Sequence, residues 1–496
     1  MNDLVTPQFQ TYCGVRQGCI LSPKLFNLFI NDIPSIFNEE CCPVALGKIS
    51  LSCLMYADDL VIFSETAEGL QNCLKKLHDY TNKWGLKLNL KKTKVLIFQK
   101  GGRKPNLKFY FGKNEIQIQN YYKYLGTTIT DTGNFKTNQA LLKKKGLRAS
   151  YIIMKNIGRQ AKPSTAISIF EKVVEPILTY NSEISQAYLP KKWDYKKFKE
   201  NLLKMNNELN RVVLGFLRQV LGVHKKTTSL AIMAETGKLP ISFKIFNSIF
   251  KYWIRAFTCN SNLVREAIIC NKNHPKGGQS WTKIVNFLLQ ITDMEDIIPT
   301  DNLKDNEKIL KVFKNRLRTK LLNAIQDEMK NSPKLDFYNK FKKVFKFEAY
   351  LDNVPRHLRV YTTRLRLSSH HLPVEILRYS KKKIERKDRI CKFCTLKEIG
   401  DEDHYLKRCK LMTDLKKSFM TNIKKSITTF QHFKEADVID YCMIMHDTRI
   451  FRTFSTYIQD ILIRYKEVTE NAGHDPHKIT QTRSGRVVKI PEKLNL

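Results

Sequence analysis

The chain has 496 residues, enough for roughly two to four domains, and 42% of them are hydrophobic, which excludes a wholly disordered chain. Lys and Arg number 86 against 47 Asp and Glu, a net charge of +39 that points to a polyanionic partner such as nucleic acid, with 10% aromatic residues as faces on which bases can stack. The 12 cysteines fall unevenly (Cys391, Cys394 and Cys409 cluster late), and there is no N-terminal apolar segment and no apolar run near the roughly 18 residues of a membrane span, so the composition predicts an intracellular, reducing-compartment protein, nuclear or cytoplasmic, neither secreted nor in a membrane.

In chain order, Met1–Cys13 is short and carries no clear pattern. Gly14 and Gly18 then flank Val15-Arg16-Gln17, where backbone can approach a ligand closely. Ser22 and Pro23 are helix-start residues, and Leu25, Phe26, Leu28, Phe29 and Ile33 follow at helical spacing. Further on, two apolar runs of strand length, Leu51 to Tyr56 and Leu60 to Phe63, enclose Ala57-Asp58-Asp59. The gap allows only a tight hairpin, and strands this apolar are expected to be buried, with the acids at the tip aimed into a cleft. Paired carboxylates there need a cation, and Asp oxygens suit magnesium. The plain alternative is a solvated Asp-Asp turn.

Ala67 to Trp84 reads as an amphipathic helix stopped by Gly85. Leu86 to Leu90 alternates like a strand, and Val95 to Phe98 reads as a second short one. Phe109–Phe111 with Ile116–Ile118, and the segment from Tyr121 to Ile129 bent at Gly126, predict two more hairpins.

In order, GVRQGC-LSP-LFN at residues 14–27, Tyr56 to Asp59, then Gly85, Leu86, Asn89, Lys92 and Thr93, then Tyr124 to Gly126, resemble the palm of a non-LTR (LINE-type) retrotransposon reverse transcriptase. The resemblance implies that Asp58 and Asp59 are catalytic carboxylates holding magnesium or manganese. It places Gln17 and Gly18 near the nucleotide and template, Lys92 near the triphosphate, Leu125 and Gly126 in the turn that grips the primer, and Tyr56 beside the acids. One feature departs from the family, which carries a further catalytic aspartate on an earlier strand. Here 13 residues precede Gly14, and Asp3 is the sole acid among them. Two-metal chemistry needs carboxylates converging from separate strands, so the sequence predicts an N-terminally truncated palm not competent alone.

From Phe135 the pattern is helical. Leu209, Val212, Val213, Phe216, Leu217, Val220 and Leu221 form a core stripe ended by Gly222. Glu235, Gly237 and Pro240 match an E-x-G-x-x-P spacing of the same family, in what would be its thumb. Residues 301–347 are lysine-rich, with Leu310, Phe313, Leu317, Leu321 and Ile325 on one helical face. Cys391, Cys394, His404 and Cys409 then follow as C-x2-C-x9-H-x4-C, a spacing that closes a tetrahedron around structural zinc, with Glu398, Asp401, Glu402 and Asp403 as outer-sphere acids. The alternative is chance placement of free thiols. This block and the preceding Thr363-Arg364-Leu365-Arg366-Leu367-Ser368 resemble the family's C-terminal zinc knuckle. His370 and His371 take no assigned role.

The fold class predicted is α+β: a partial palm of antiparallel sheet plus helices (1–132), a helical thumb-like and connecting region (133–350), a CCHC region (351–420), terminal helices (421–470) and a disordered basic tail (471–496). By resemblance the chain is part of an RNA-directed DNA polymerase with an RNA template, a DNA primer or target, and deoxynucleotides as partners. The alternatives are a non-catalytic RNA- or DNA-binding remnant of such a protein, or a chain that does not fold cleanly.

Overall fold

A computed structural model describes residues 14–16, 18–99, 102, 105–158, 161–185, 208–273, 281–300, 302–382, 384–426 and 448–471. The chain divides into two compact units: Met1–Gln139 with Glu183–Lys191 and Ile249–Ile309, and Ala140–Ser182 with Lys192–Ser248 and Leu310–Leu496. The composition is α+β, as expected. Residues 472–496, all but the first of the predicted disordered tail, lie outside the described residues, as do residues 427–447 of the predicted terminal helices.

The first unit begins with α1 (Ser22–Phe29). Pro23 opens the helix, but the Ser22 hydroxyl does not cap it. It donates instead to the Arg16 carbonyl at 2.7 Å, which ties the glycine loop to the helix start. The helical stripe is only partly buried: Leu25, Leu28 and Phe29 are exposed, while Ile30 and Ile33 enter the core.

Four antiparallel hairpins follow among the described residues, each two-stranded: β1 (Val44–Leu46) with β2 (Ile49–Leu51), β3 (Cys53–Tyr56) with β4 (Asp59–Ile62), β5 (Phe109–Phe111) with β6 (Asn114–Ile116), and β7 (Tyr121–Tyr124) with β8 (Thr127–Thr130). The expected antiparallel pairing is present, as separate hairpins.

Helix α2 (Ala67–Trp84) packs against β3–β4 and β5–β6. Thr66 caps its start by accepting from Gly69 N, and Gly85 ends it in the left-handed region at φ +66°. Its buried residues recur at helical spacing and serve two clusters. Cys73 and Tyr80 pack with Ile30, Ile33, Phe37 and Cys41, where β3–β4 contributes Cys53, Met55, Leu60 and Ile62. Leu74 and Leu77 pack with Val95, Phe109, Phe111 and Ile116. The Gln71 side-chain amide both donates to the Tyr110 carbonyl and accepts from its N–H, each at 2.8 Å, and so satisfies an edge-strand residue.

Two predicted strands do not form. Between Leu86 and Leu90 the chain turns instead, because Asn89 accepts the Lys92 and Thr93 amides and the Thr93 hydroxyl. Val95 to Phe98 makes a single parallel bridge, Val95 to Ile118. The first unit also recruits α8 (Asn262–Asn273) and α9 (Trp281–Ile291), which the sequence reading assigns to the helical region. The Glu266 carboxylate accepts the Lys48 amide at 3.3 Å, and the Trp281 indole donates to the Glu183 carbonyl at 2.8 Å.

The second unit is helical. In α5 (Glu208–Leu221) the predicted stripe is buried throughout, with Phe216 stacked on Phe170 of α4 (Pro163–Leu178) at 4.4 Å. Gly146 of α3 (Lys136–Ile157) lets that helix approach α4, since a Cβ there would lie 2.4 Å from Leu178. In α10 (Leu303–Lys330) Phe313, Leu317, Leu321 and Ile325 are buried and Leu310 is half-buried.

The two motifs Glu235-x-Gly237 and Thr363 to Ser368 meet here, joining α6 (Ser229–Thr236) to α12 (Arg356–Arg366). Fully buried Glu235 accepts from Arg366 Nε at 2.6 Å and Nη2 at 3.2 Å, from Tyr350 at 2.7 Å and from Tyr338 at 2.9 Å. Burial alone would raise its carboxyl, but the Arg366 guanidinium holds it below the usual value. Gly237 sits at φ +65° with Phe347 N 2.6 Å from where a Cβ would be, so this position requires glycine.

Candidate functional site

The β3–β4 hairpin pairs Cys53 with Ile62, Leu54 with Val61, Met55 with Leu60 and Tyr56 with Asp59. Alternation sends Cys53, Met55, Leu60 and Ile62 to the core and leaves Tyr56 and Asp59 on the opposite face. The expectation of buried strands is corrected: both strands are half-buried, because only one face meets the core, and their tip is in solvent. Tyr56, Ala57, Asp58 and Asp59 are all exposed, Tyr56 by 65%. The two-residue loop holds Ala57 at φ +52°, a region that favours glycine, so backbone strain is kept at the acidic tip.

Neither Asp58 nor Asp59 makes an ion pair among the described residues. Two adjacent, solvent-facing carboxylates without a cationic partner fit a hard divalent ion, leaving coordination positions to water or phosphate oxygens. The β7–β8 hairpin lies near them. Burial pushes the Tyr124 phenol up, and the Asp59 carboxylate pushes it further. Its two-residue loop is Leu125 at φ +43° and Gly126 at φ +80°, a turn with both central residues left-handed. Behind it Thr127, Thr128 and Thr130 are buried, and Asn138 accepts the Thr128 amide at 3.0 Å.

Of the other predicted residues, Gly18 is exposed at φ +84° on the loop before α1, and Gln17 lies outside the described residues. Lys92 is exposed, with its backbone held by Asn89 and its side chain without an ion pair among the described residues. Of the predicted site elements, the acidic tip and the primer turn are linked through the effect of Asp59 on Tyr124. The closeness of Tyr124 to Asp59, 65 positions apart in sequence, had no signal in the local pattern.

The second unit holds the cysteine cluster. One donor atom each from Cys391, Cys394, His404 and Cys409 lies within 4.8 Å of all the others, and all but Cys394 are buried. His404 Nε2 is 3.4 Å from Cys394 Sγ, so that nitrogen faces the cluster. Its Nδ1 lies 3.0 Å from Glu398 Oε2, which also accepts from Arg408 Nε at 2.7 Å. The Arg408 guanidinium, then His404, hold the Glu398 carboxyl below its usual value. Burial opposes a charge on His404, but Cys391 and Glu398 raise the imidazole. The hydrogen bond from the Cys409 thiol drives the Cys391 thiol down, with His404 and the Tyr405 hydroxyl (3.2 Å from its Sγ) adding to it.

Three sulfurs and one imidazole at this spacing fit a tetrahedral zinc ion, and Glu398 fixes the ring orientation such a ligand needs. The sequence marks Glu398 among four acids without distinguishing it. Glu402 instead accepts from buried His370 Nε2 at 2.9 Å, which accounts for that histidine structurally. Tyr405 and Arg408 carried no signal in the sequence.

Residues 2–129 match the reverse transcriptase (RNA-dependent DNA polymerase) family. This stretch is similar to a reverse transcriptase domain. The retrovirus-related Pol polyprotein from the type-2 retrotransposable element R2DM of Drosophila melanogaster is 37% identical over 136 residues, 26% of this chain and 13% of that protein. The Pol polyprotein from the R2 element of Nasonia vitripennis is 32% identical over 129 residues, 24% of this chain and 12% of the relative. The RNA-directed DNA polymerase from the mobile element jockey of Drosophila melanogaster is 25% identical over 183 residues, 34% of this chain and 19% of its own length. The chain thus aligns with a minor part of each relative. Among the described residues no helix is long and apolar enough to cross a membrane.

Proposed function

We propose that the chain works as the palm and thumb-like part of an RNA-directed DNA polymerase of a non-LTR retrotransposon, holding an RNA template and DNA primer. Asp58 and Asp59 ligate magnesium beside the primer end, which Leu125 and Gly126 support. Gly18 and Lys92 contact the nucleotide. The observation that carries this reading is the pair of carboxylates without an ion pair among the described residues, on a strained hairpin tip whose Asp59 acts on Tyr124, inside a stretch that matches the reverse transcriptase family. When bound, the ion offsets charge developing on phosphoryl oxygens. The domain's own contribution is to fix two oxygens of one hairpin and keep the primer turn near them. Two acids on one turn supply donors for one ion, so the chain alone is expected to bind template–primer without extending it.

The duplex-facing surface is α3. Its 22 residues contain no acid, and Lys144, Arg148, Tyr151 and Lys155 fall on one helical face. All four are exposed, the cations make no ion pair among the described residues, and Tyr151 is 69% exposed. Binding of an RNA–DNA duplex measured against salt tests this. Log affinity should fall steeply with log salt, and replacing Lys144, Arg148 and Lys155 by Gln should reduce the slope by about three phosphate contacts. A flat salt dependence would overturn the assignment. Primer extension with magnesium and deoxynucleotides that disappears in Asp58→Asn would show that another acid completes the site.

A further inference from the structure

We infer that occupancy of the Cys391–Cys394–His404–Cys409 cluster controls docking of the terminal helix: the metal site is a fastener for residues 448–471, read out through Tyr405 and Tyr465. Helix α14 (Thr448–Asn471) runs along α12 and α13 (Thr413–Ser426). Its buried stripe is Ile450, Phe454, Tyr457, Ile458, Ile461 and Tyr465.

The link to the cluster is a single π-helical turn, His404–Arg408. Three successive residues of this turn have three separate duties. His404 is a ligand of the cluster. Tyr405 donates to the ligand sulfur of Cys391 at 3.2 Å. The Leu406 carbonyl accepts the Tyr457 hydroxyl of α14 at 2.7 Å. The Tyr405 ring also meets Tyr465 edge-on at 5.2 Å, and Phe393, between the two knuckle cysteines, meets Tyr465 at 5.8 Å. Every one of these groups on α14 is buried, so none can exchange its partner for water while the helix stays docked.

Without a metal, three sulfurs and an imidazole within 4.8 Å of one another have no common neutralising ion, and the turn that carries His404 has no reason to keep its wide geometry. Tyr405 and the Leu406 carbonyl move with that turn. Tyr457 then loses its acceptor and Tyr465 its two ring partners, and the apolar stripe of α14 is released.

Hydrogen exchange on the full chain, loaded with zinc alone or stripped by chelator, tests this. Amides of 448–471 should exchange at least about tenfold faster without zinc, while those of α5 keep their protection. Equal protection of 448–471 in both states overturns the inference. So does simultaneous opening of α5, which would make zinc a support of the whole unit. A second variant separates the relay from metal binding. Tyr465→Ala should release 448–471 while cobalt in the cluster keeps its thiolate charge-transfer absorption, and Tyr465→Phe should restore protection. A Tyr465→Ala chain with 448–471 still protected would show that the aromatic contact is not the link.

Discussion

The acids of the two units live under opposite conditions. Asp58 and Asp59 end a hairpin in water, without an ion pair among the described residues, on a loop whose Ala57 is held left-handed. Glu235 is fully buried and accepts from an arginine and two tyrosines, and Glu398, half-exposed, is shared by His404 and Arg408. A carboxylate whose lone pairs are filled by the protein orders the fold. One left open at a strained tip is available to a ligand. The same chemistry thus serves structure in one unit and stands open to a ligand in the other, and the difference lies in which donors the chain brings to it.

Removing a carboxylate at each position tests that contrast. The largest effect is expected at Glu235. Glu235→Gln leaves the buried Arg366 guanidinium with Glu348, at 3.5 Å, in place of its two short bonds to Glu235, and should destabilise the second unit by about 3–5 kcal/mol in chemical denaturation. A loss below about 1 kcal/mol would mean the network adds nothing net. The pH dependence has a definite sign. The folded Glu235 carboxyl lies below its ordinary value of 4.5, so the unfolded chain binds that proton more tightly. Its contribution is full above that ordinary value and is lost as pH falls through the lower folded one. Glu235→Gln should therefore flatten the acid limb of the stability curve.

Glu398→Gln comes next. It weakens the anchor of His404 while sparing all four ligands, and should lower zinc affinity by about 10–100-fold in competition with a chromophoric chelator. Unchanged affinity would reduce the Glu398–Arg408 pair to a surface contact. The smallest effect on stability is expected at the hairpin tip. Asp58→Asn with Asp59→Asn should change unfolding free energy by no more than about 0.5 kcal/mol, since both groups are exposed and make no ion pair among the described residues. A larger loss would mean the tip is part of the fold's support.

Local features of this chain were readable wherever the physics is local. Thr66, the apolar spacing and Gly85 fix α2 at the bounds the sequence predicts, and Tyr56-Ala57-Asp58-Asp59 is a hairpin turn because no other connection fits the gap. The clustering of Cys391, Cys394, His404 and Cys409 is legible because ligand-like spacing constrains geometry directly. Leu86 to Leu90 misleads, since its alternation is overridden by Asn89 capturing three backbone and side-chain donors. Long-range pairing was invisible. Glu235 and Arg366 are 131 positions apart, and the return of α8 and α9 to the first unit rests on Glu266 and Trp281, which carry no pattern of their own.

The contrast turns on whether the open acids bind a metal. Manganese binding followed by electron paramagnetic resonance, in the presence of RNA–DNA duplex and a deoxynucleotide, tests it most directly. One bound manganese per chain is predicted for the wild type, lost in Asp58→Asn with Asp59→Asn and retained in Glu398→Gln. Manganese bound equally by the wild type and the double variant would contradict the account.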